Sequence, residues 1–360
     1  MEPTSNSVSV AVNGDSDTAL LAVKDLRMYF PIQRGFLRRT VGYVKAVDGI
    51  NFSIGKRETL GLVGESGCGK TTVGRCVVRA YEPTGGNLLF REQDDDVTDL
   101  AKLSNRELAP YRQQVRMIFQ DPYSSLNPRL PVREIVGEPL RVNRNMSGAA
   151  LDEKVSDLLH RVGLRPEYMQ RYPHAFSGGE RQRISIARAL SLDPRLVVAD
   201  EAVSALDVSV RAQILNLLQD LQDEFHLTYL FISHDLSVIE YLCDRVAVMY
   251  VGNIVEVAPT KTLYRAPAHP YTEALLSAVP KPNPRLRKHK DRIILKGDVA
   301  DPSNPPSGCY FHPRCQYARE RCSVDKPELH TIGKGHQVAC HFAEELDLRG
   351  VAVFDNMPKF

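Results

Sequence analysis

Gly64-Glu65-Ser66-Gly67-Cys68-Gly69-Lys70-Thr71-Thr72 is the stretch that decides the fold. It follows a short apolar run at 59–63 and precedes residues 71–80, whose spacing is helical. Strand, glycine loop and helix in that order fit the G-x-x-x-x-G-K-[ST] phosphate loop. The chemistry requires the glycines, because a Cβ would block backbone N–H groups from converging on phosphate oxygens. The helix that follows points its N-terminus, about half a positive charge, at the same oxygens. Lys70 adds a full charge for the β- and γ-phosphates, and the Thr71 hydroxyl is a magnesium ligand. Cys68 offers only its backbone. About one random chain in a hundred of this length would carry the pattern by chance, and the flanking strand and helix lower that further. The loop therefore binds nucleotide.

Downstream, Leu196-Val197-Val198-Ala199-Asp200-Glu201 is an apolar strand ending in two acids. Asp200 at the strand end can hold magnesium, and Glu201 can orient and polarise an attacking water. Phosphoryl transfer depends on such positioning and charge neutralisation. Taken alone, the pair could equally be solvated acids. His234 follows an apolar run at 227–233. A lone histidine is more often structural, but ligands in such sheets bind outside the carboxyl ends of strands, so His234 is expected to face the γ-phosphate and the water.

The rest of the chain fits an α/β protein. Residues 44–54, 59–63, 195–200 and 227–233 read as strands, and 180–190 and 210–225 as helices. That alternation predicts a mostly parallel sheet covered on both faces. Residues 94–96 are expected in a surface loop, and 111–174 to be mixed and mostly helical. Of 360 residues, 43% are hydrophobic and 25% charged, which is ordinary for a globular protein of this size. A net charge of +2 gives no sign of a nucleic-acid-binding surface. No apolar run approaches the roughly 18 residues of a spanning helix, and the polar N-terminus lacks the apolar segment of a secretory signal. The proline-rich segment after 266 leads into a basic run at 285–292, read as a solvated connector.

Phe176-Ser177-Gly178-Gly179-Glu180-Arg181-Gln182-Arg183 resembles the signature of the ABC ATPases. The family's motifs then fall in order: the phosphate loop, Gln120 as the Q-loop, Ser177, Gly178, Gly179 and Glu180 as the signature, Asp200 and Glu201, Ser204-Ala205-Leu206-Asp207 as the D-loop, and His234 as the switch. The resemblance covers roughly residues 20–268. It implies a P-loop NTPase (RecA-like) core with an ABC helical subdomain, and ATP hydrolysis with Mg2+ bound through Thr71, Gln120 and Asp200. It also implies a head-to-tail pair of ATPase subunits, in which the signature of one completes the nucleotide site of the other. Two departures stand out. Glu180 replaces the usual Gln; its side chain is expected to point away from the site, a weakened composite site being the alternative. Ala202-Val203 replaces a Pro-containing version, with little effect expected on chemistry. The adenine-stacking aromatic could be Phe30, Phe36 or Tyr43.

Asp121-Pro122-Tyr123-Ser124-Ser125-Leu126-Asn127-Pro128-Arg129, the insert at 31–44 and Ala268-His269-Pro270-Tyr271-Thr272-Glu273-Ala274-Leu275-Leu276 are similar to the dipeptide and oligopeptide uptake ATPases, with the nickel-uptake branch close by. The resemblance implies a second, different ATPase chain, two integral-membrane permeases and an extracellular binding protein. It implies work at the cytoplasmic face of the plasma membrane. The division implied is a flexible tail at 1–19, an ATPase domain at 20–268 with its helical part at about 111–180, a small Cys-rich structural or regulatory extension at 269–345, and a tail at 346–360. Four of seven cysteines lie in that extension: Cys309, Cys315, Cys322 and Cys340. Four thiolates can hold a [4Fe–4S] cluster or zinc. The resemblance favours the cluster; zinc, and unliganded or disulfide-bonded thiols, are the other readings. A soluble ABC ATPase of the DNA-repair or translation class is disfavoured by the single cassette and the lack of sustained heptads. A protein that binds ATP without cleaving it is disfavoured by Glu201 and His234.

Overall fold

The computed structural model describes residues 18–36, 38–121, 125–279 and 292–351. The expected N-terminal tail up to residue 17, residues 122–124 of the segment after Gln120, most of the basic run at 285–292 and residues 352–360 lie outside the described residues.

The strands are β1 (Ala19–Arg34), β2 (Arg39–Gly55), β3 (Thr59–Val63), β4 (Gly85–Arg91), β5 (Val97–Asp99) and β6 (Val115–Ile118), then β7 (Leu196–Asp200), β8 (Thr228–Ile232), β9 (Arg245–Tyr250), β10 (Asn253–Pro259), β11 (His330–Gly333) and β12 (His336–Val338). They form two sheets, in the orders β2-β1-β4-β5 and β11-β12-β10-β9-β3-β8-β7-β6. From β9 to β6 every pairing in the second sheet is parallel. This is the predicted parallel sheet. Its other end is antiparallel, and the first sheet is wholly so. Neither feature was expected, because the β1–β2 hairpin, registered from Ala19↔Gly55 to Arg34↔Arg39, carries bulges that break strict alternation. The insert at 31–44 is the far end of that hairpin.

β3, β7 and β8 are buried along their whole length, as apolar runs between two layers must be. Successive residues serve two cores. Leu196 and Val198 face a core shared with the antiparallel sheet and with Val73, Cys76 and Val77 of helix α1 (Lys70–Val77). Val197 and Ala199 face a core built with helices α2 (Val132–Arg144), α3 (Gly148–Arg161), α4 (Gly178–Leu190) and α5 (Val208–Phe225). The two-residue side-chain period of a strand imposes that division. The expected helical stretch at 111–174 contains α2 and α3, but also the short edge strand β6, whose four residues are too few to display a period.

The last part of the chain is tied back to the sheet. β12 pairs with β10, and the fully buried Glu256 of β10 accepts N–H bonds from Ala268 and His269 and lies 2.8 Å from His336 Nε2. Helix α6 (Pro270–Ser277) begins beside this anchor, capped by His269 Nδ1, which accepts the Tyr271 N–H.

Candidate nucleotide site

The phosphate loop leaves β3 at Val63 and enters α1 at Lys70. Two of its glycines are demanded by space. A Cβ on Gly64 would lie 2.1 Å from the Met249 carbonyl oxygen, and one on Gly69 2.1 Å from that of Ala46. Gly69 also sits at φ 108, where side chains are strained. Lys70 is buried, and its ammonium donates to the carbonyls of Gly64 at 2.8 Å and Glu65 at 2.9 Å. It is thus folded across the loop's own mouth. Ser66 and Gly67 are exposed, Cys68 is buried and accepts the Gly252 N–H through its carbonyl, and Thr71 and Thr72 are half-buried in the first turn of the helix.

Thr71 Oγ1 donates to Asp200 Oδ1 at 3.1 Å, so the loop and the end of β7 meet there. Asp200 is buried, and that desolvation, with the Glu201 charge beside it, lifts its carboxyl above the ordinary range. Glu201 follows at φ 46, a left-handed conformation a non-glycine residue adopts only under constraint. The Glu201 N–H is held by the Ile232 carbonyl. Its carboxylate accepts from Gln120 Nε2 at 2.8 Å through one oxygen and lies 3.2 Å from His234 Nδ1 through the other. Thus the ends of β6, β7 and β8 bring Gln120, Glu201 and His234, which are far apart in sequence, onto one carboxylate. The donor set fits a hard divalent cation: a hydroxyl, a carboxylate and an amide oxygen are the oxygen ligands magnesium takes.

Ser177 caps α4, its Oγ accepting the Glu180 N–H at 3.3 Å. Gly179 has no room for a side chain, since a Cβ would lie 2.4 Å from Val210 Cγ1. The side chain of Glu180 does not point away as expected. It turns back over the cap and accepts from Ser177 N at 2.9 Å and Ser177 Oγ at 2.8 Å. The reason is local: Ser-x-x-Glu at a helix start closes a capping box, which satisfies donors the helix leaves open. The side-chain bonds of Ser177 and Glu180 run between those two residues, so this patch is a separate helix N-terminus and is not joined to Gln120, Glu201 and His234. Asp207 of the D-loop caps α5 through Val210 N, and Ser204 Oγ donates to the Glu201 carbonyl. Of the aromatic candidates, Phe30 packs edge-on against Tyr81, while Phe36 and Tyr43 are exposed.

The expected [4Fe–4S] cluster is overturned, and zinc with it. Among the described residues no group of three or more His, Cys, Asp or Glu side chains is placed to hold a metal ion. All seven cysteines are free, which also removes the disulfide reading. Burial keeps the tail thiols neutral: it pushes Cys309 up to about 11 and Cys315 up to about 12, and raises Cys340 as well. The backbone joins two of them, the Cys309 N–H being bonded to the Cys322 carbonyl.

One contact was missed entirely in the sequence: Arg314 forms a forked ion pair with Glu65 of the phosphate loop. Their separation of 249 positions leaves no local signal.

The sequence profile of the family described as "ABC transporter" matches residues 47–204, and that of "Oligopeptide/dipeptide transporter, C-terminal region" matches residues 255–322. The oligopeptide transport ATP-binding protein AppF of Bacillus subtilis is 52% identical over 323 residues, covering 89% of this chain and 97% of its own. The dipeptide transport ATP-binding protein DppF of Haemophilus influenzae is 48% identical over 324 residues, covering 90% and 97%. Among solved structures, the ATP-binding cassette MJ0796, dimeric in a post-hydrolysis state with ADP and Pi, superposes with a TM-score of 0.58 at 25% identity, over 67% of this chain and 98% of that one. Among the described residues no helix is long and apolar enough to cross a membrane.

Proposed function

The chain belongs to the ABC transporter family, in its oligopeptide/dipeptide branch, and from that premise we propose that it is the ATP-hydrolysing subunit powering peptide uptake through partner permeases. One observation carries the reading: Glu201 is gripped between Gln120 and His234, one residue from the carboxylate that bonds the phosphate-loop threonine. Residues 64–72 bind the phosphates of ATP, with the Lys70 ammonium leaving the Gly64 and Glu65 carbonyls for phosphate oxygens. Thr71, Asp200 and Gln120 hold Mg2+, which neutralises phosphate charge when bound. Glu201 takes up and polarises the attacking water; Gln120 and His234 fix the orientation of its carboxylate.

Ser177, Gly178, Gly179 and Glu180 serve the nucleotide of a second ATPase subunit, because a helix N-terminus with free N–H groups is an anion site and this one is detached from its own chain's phosphate loop. That second subunit is a different chain of the same family. The pair works at the cytoplasmic face of the plasma membrane, on two integral-membrane permeases fed by an extracellular binding protein. Residues 20–268 form the ATPase domain, with the helical part at about 111–180; residues 269–345 form a structural extension packed on it. Nickel cargo is not favoured, since the relatives' names are those of peptide transporters, and the C-terminal profile match disfavours a non-transport ABC ATPase.

The test is reconstitution of the chain with its second ATPase, permeases and binding protein in lipid vesicles. Short peptides should stimulate ATP hydrolysis and accumulate; hydrolysis indifferent to peptide but stimulated by nickel would refute the cargo assignment.

A further inference from the structure

Glu65, second residue of the phosphate loop, is held from three sides. Its carboxylate receives a bidentate fork from Arg314, Nη1 to Oε2 at 2.7 Å and Nη2 to Oε1 at 3.1 Å. Its N–H donates to the Tyr271 hydroxyl at 2.8 Å. Its carbonyl accepts from the Lys70 ammonium at 2.9 Å. The first two holds come from the chain beyond residue 269. Both are rigid. The Arg314 side chain is only 8% exposed, and Tyr271 is locked in a buried aromatic cluster with Tyr250 and Phe311, ring centroids 4.8 to 5.3 Å apart. By contrast the next loop residues, Ser66 and Gly67, are exposed, and nothing lies within 4 Å of a Cβ on Gly67. The outer rim of the phosphate loop is thus shaped mainly through Glu65.

We propose that Arg314 is a positioning residue for the phosphate loop: it fixes Glu65, cancels a carboxylate charge beside the phosphate site, and so makes nucleotide affinity depend on the C-terminal segment. The inference rests on the nucleotide-site reading above. Two physical effects act together. A planar guanidinium fork holds a carboxylate in one orientation, which an ammonium cannot do. An uncompensated Glu65 would also repel phosphate. The second effect separates positioning from mere structural support. If Arg314 only braces the fold, removing Glu65's charge as well should add damage; if it compensates that charge, removing it should restore binding.

The experiment titrates the full-length chain with a fluorescent ATP analogue and Mg2+, with thermal melting in parallel. Arg314→Ala should weaken nucleotide binding about tenfold, and Arg314→Lys by an intermediate factor. Arg314→Ala/Glu65→Gln should return to within about threefold of wild type. For Arg314→Ala, hydrolysis by the assembled transporter at saturating ATP should change by less than twofold, so the loss falls on KM and not on kcat. Unchanged affinity in Arg314→Ala with a lower melting temperature would overturn the proposal, as would a double variant no better than the single one. If Arg314→Ala does not fold, Arg314→Lys and Glu65→Gln decide: Arg314→Lys binding like wild type overturns it. Lys70→Ala is the control for the underlying reading. Wild type that fails to bind, or binding indifferent to Lys70→Ala, refutes the nucleotide site itself; Lys70-dependent binding indifferent to Arg314 refutes only the positioning role.

Discussion

Replacing Glu180 by glutamine tests what the carboxylate folded over the signature serine does. In the structure it takes both the Ser177 N–H and the Ser177 hydroxyl, the groups a second subunit's nucleotide would need. Glutamine keeps an amide oxygen for the cap, so the capping box survives, and what is removed is one negative charge. The benefit at the composite site is electrostatic. Two unit charges about 4 Å apart repel by about 1 kcal/mol in water and about 4 kcal/mol at an effective dielectric constant of 20. Glu180 is half-exposed, which puts the effect near the lower figure, roughly a fivefold change in rate or affinity at about 1.4 kcal/mol per tenfold. Against this, loss of an anion from the first helical turn costs about 0.3–1 kcal/mol of helix stability. Glu180→Gln should therefore raise ATP turnover of the assembled transporter about fivefold at subsaturating ATP, while lowering the melting temperature slightly. Steady-state hydrolysis against ATP concentration, with both proteins in the same complex, makes the measurement. Identical curves would show that the carboxylate leaves the cap unaided and would remove the weakened-site idea.

Glu201→Gln should cut hydrolysis by about 10²-fold or more, since it removes a positioned polarising group, while ATP binding is retained; loss of binding instead, seen in the same nucleotide titration, would place Glu201 in the binding role. Gly69→Ala must both adopt φ 108 and push a Cβ to within 2.1 Å of the Ala46 carbonyl, so it should lose well over 1–3 kcal/mol of stability together with nucleotide binding, checked by thermal melting. His269 is buried in its neutral form, burial lowering it from 6.5 to about 3. The unfolded chain protonates first as pH falls, so this contribution is complete above pH 6.5 and is lost below it, by about 1.4 kcal/mol at pH 5.5. His269→Asn, which can keep an acceptor for the Tyr271 N–H, should flatten that slope in urea titrations across pH 7 to 5. Cys309 and Cys315, held neutral at about 11 and about 12, should resist iodoacetamide at pH 8 in the folded protein and react in urea, as mass spectrometry would record.

The nucleotide site was legible in the sequence because each of its parts is local. A glycine loop between strand and helix, two acids ending an apolar strand and a histidine after the next are short-range patterns with short-range causes: Gly69 is glycine because only glycine takes its φ beside Ala46, and β7 reads as an unbroken apolar run because both its faces are covered. What the tertiary structure alone decided is which distant groups meet. The convergence of Gln120 and His234 on Glu201 follows from the order β8-β7-β6 in the sheet. The fold-back of Glu180 is local as well, because Ser-x-x-Glu at a helix start encodes a capping box; the expectation that it points away weighed its charge and not that pattern. The tail cysteines suggested a metal by number and clustering, yet a site also needs its side chains placed around one ion, which clustering along the chain does not encode and which no group among the described residues meets. Arg314 and Glu65 form a fork across most of the chain's length, and no periodicity or spacing encodes a contact that exists only once two separate segments have packed.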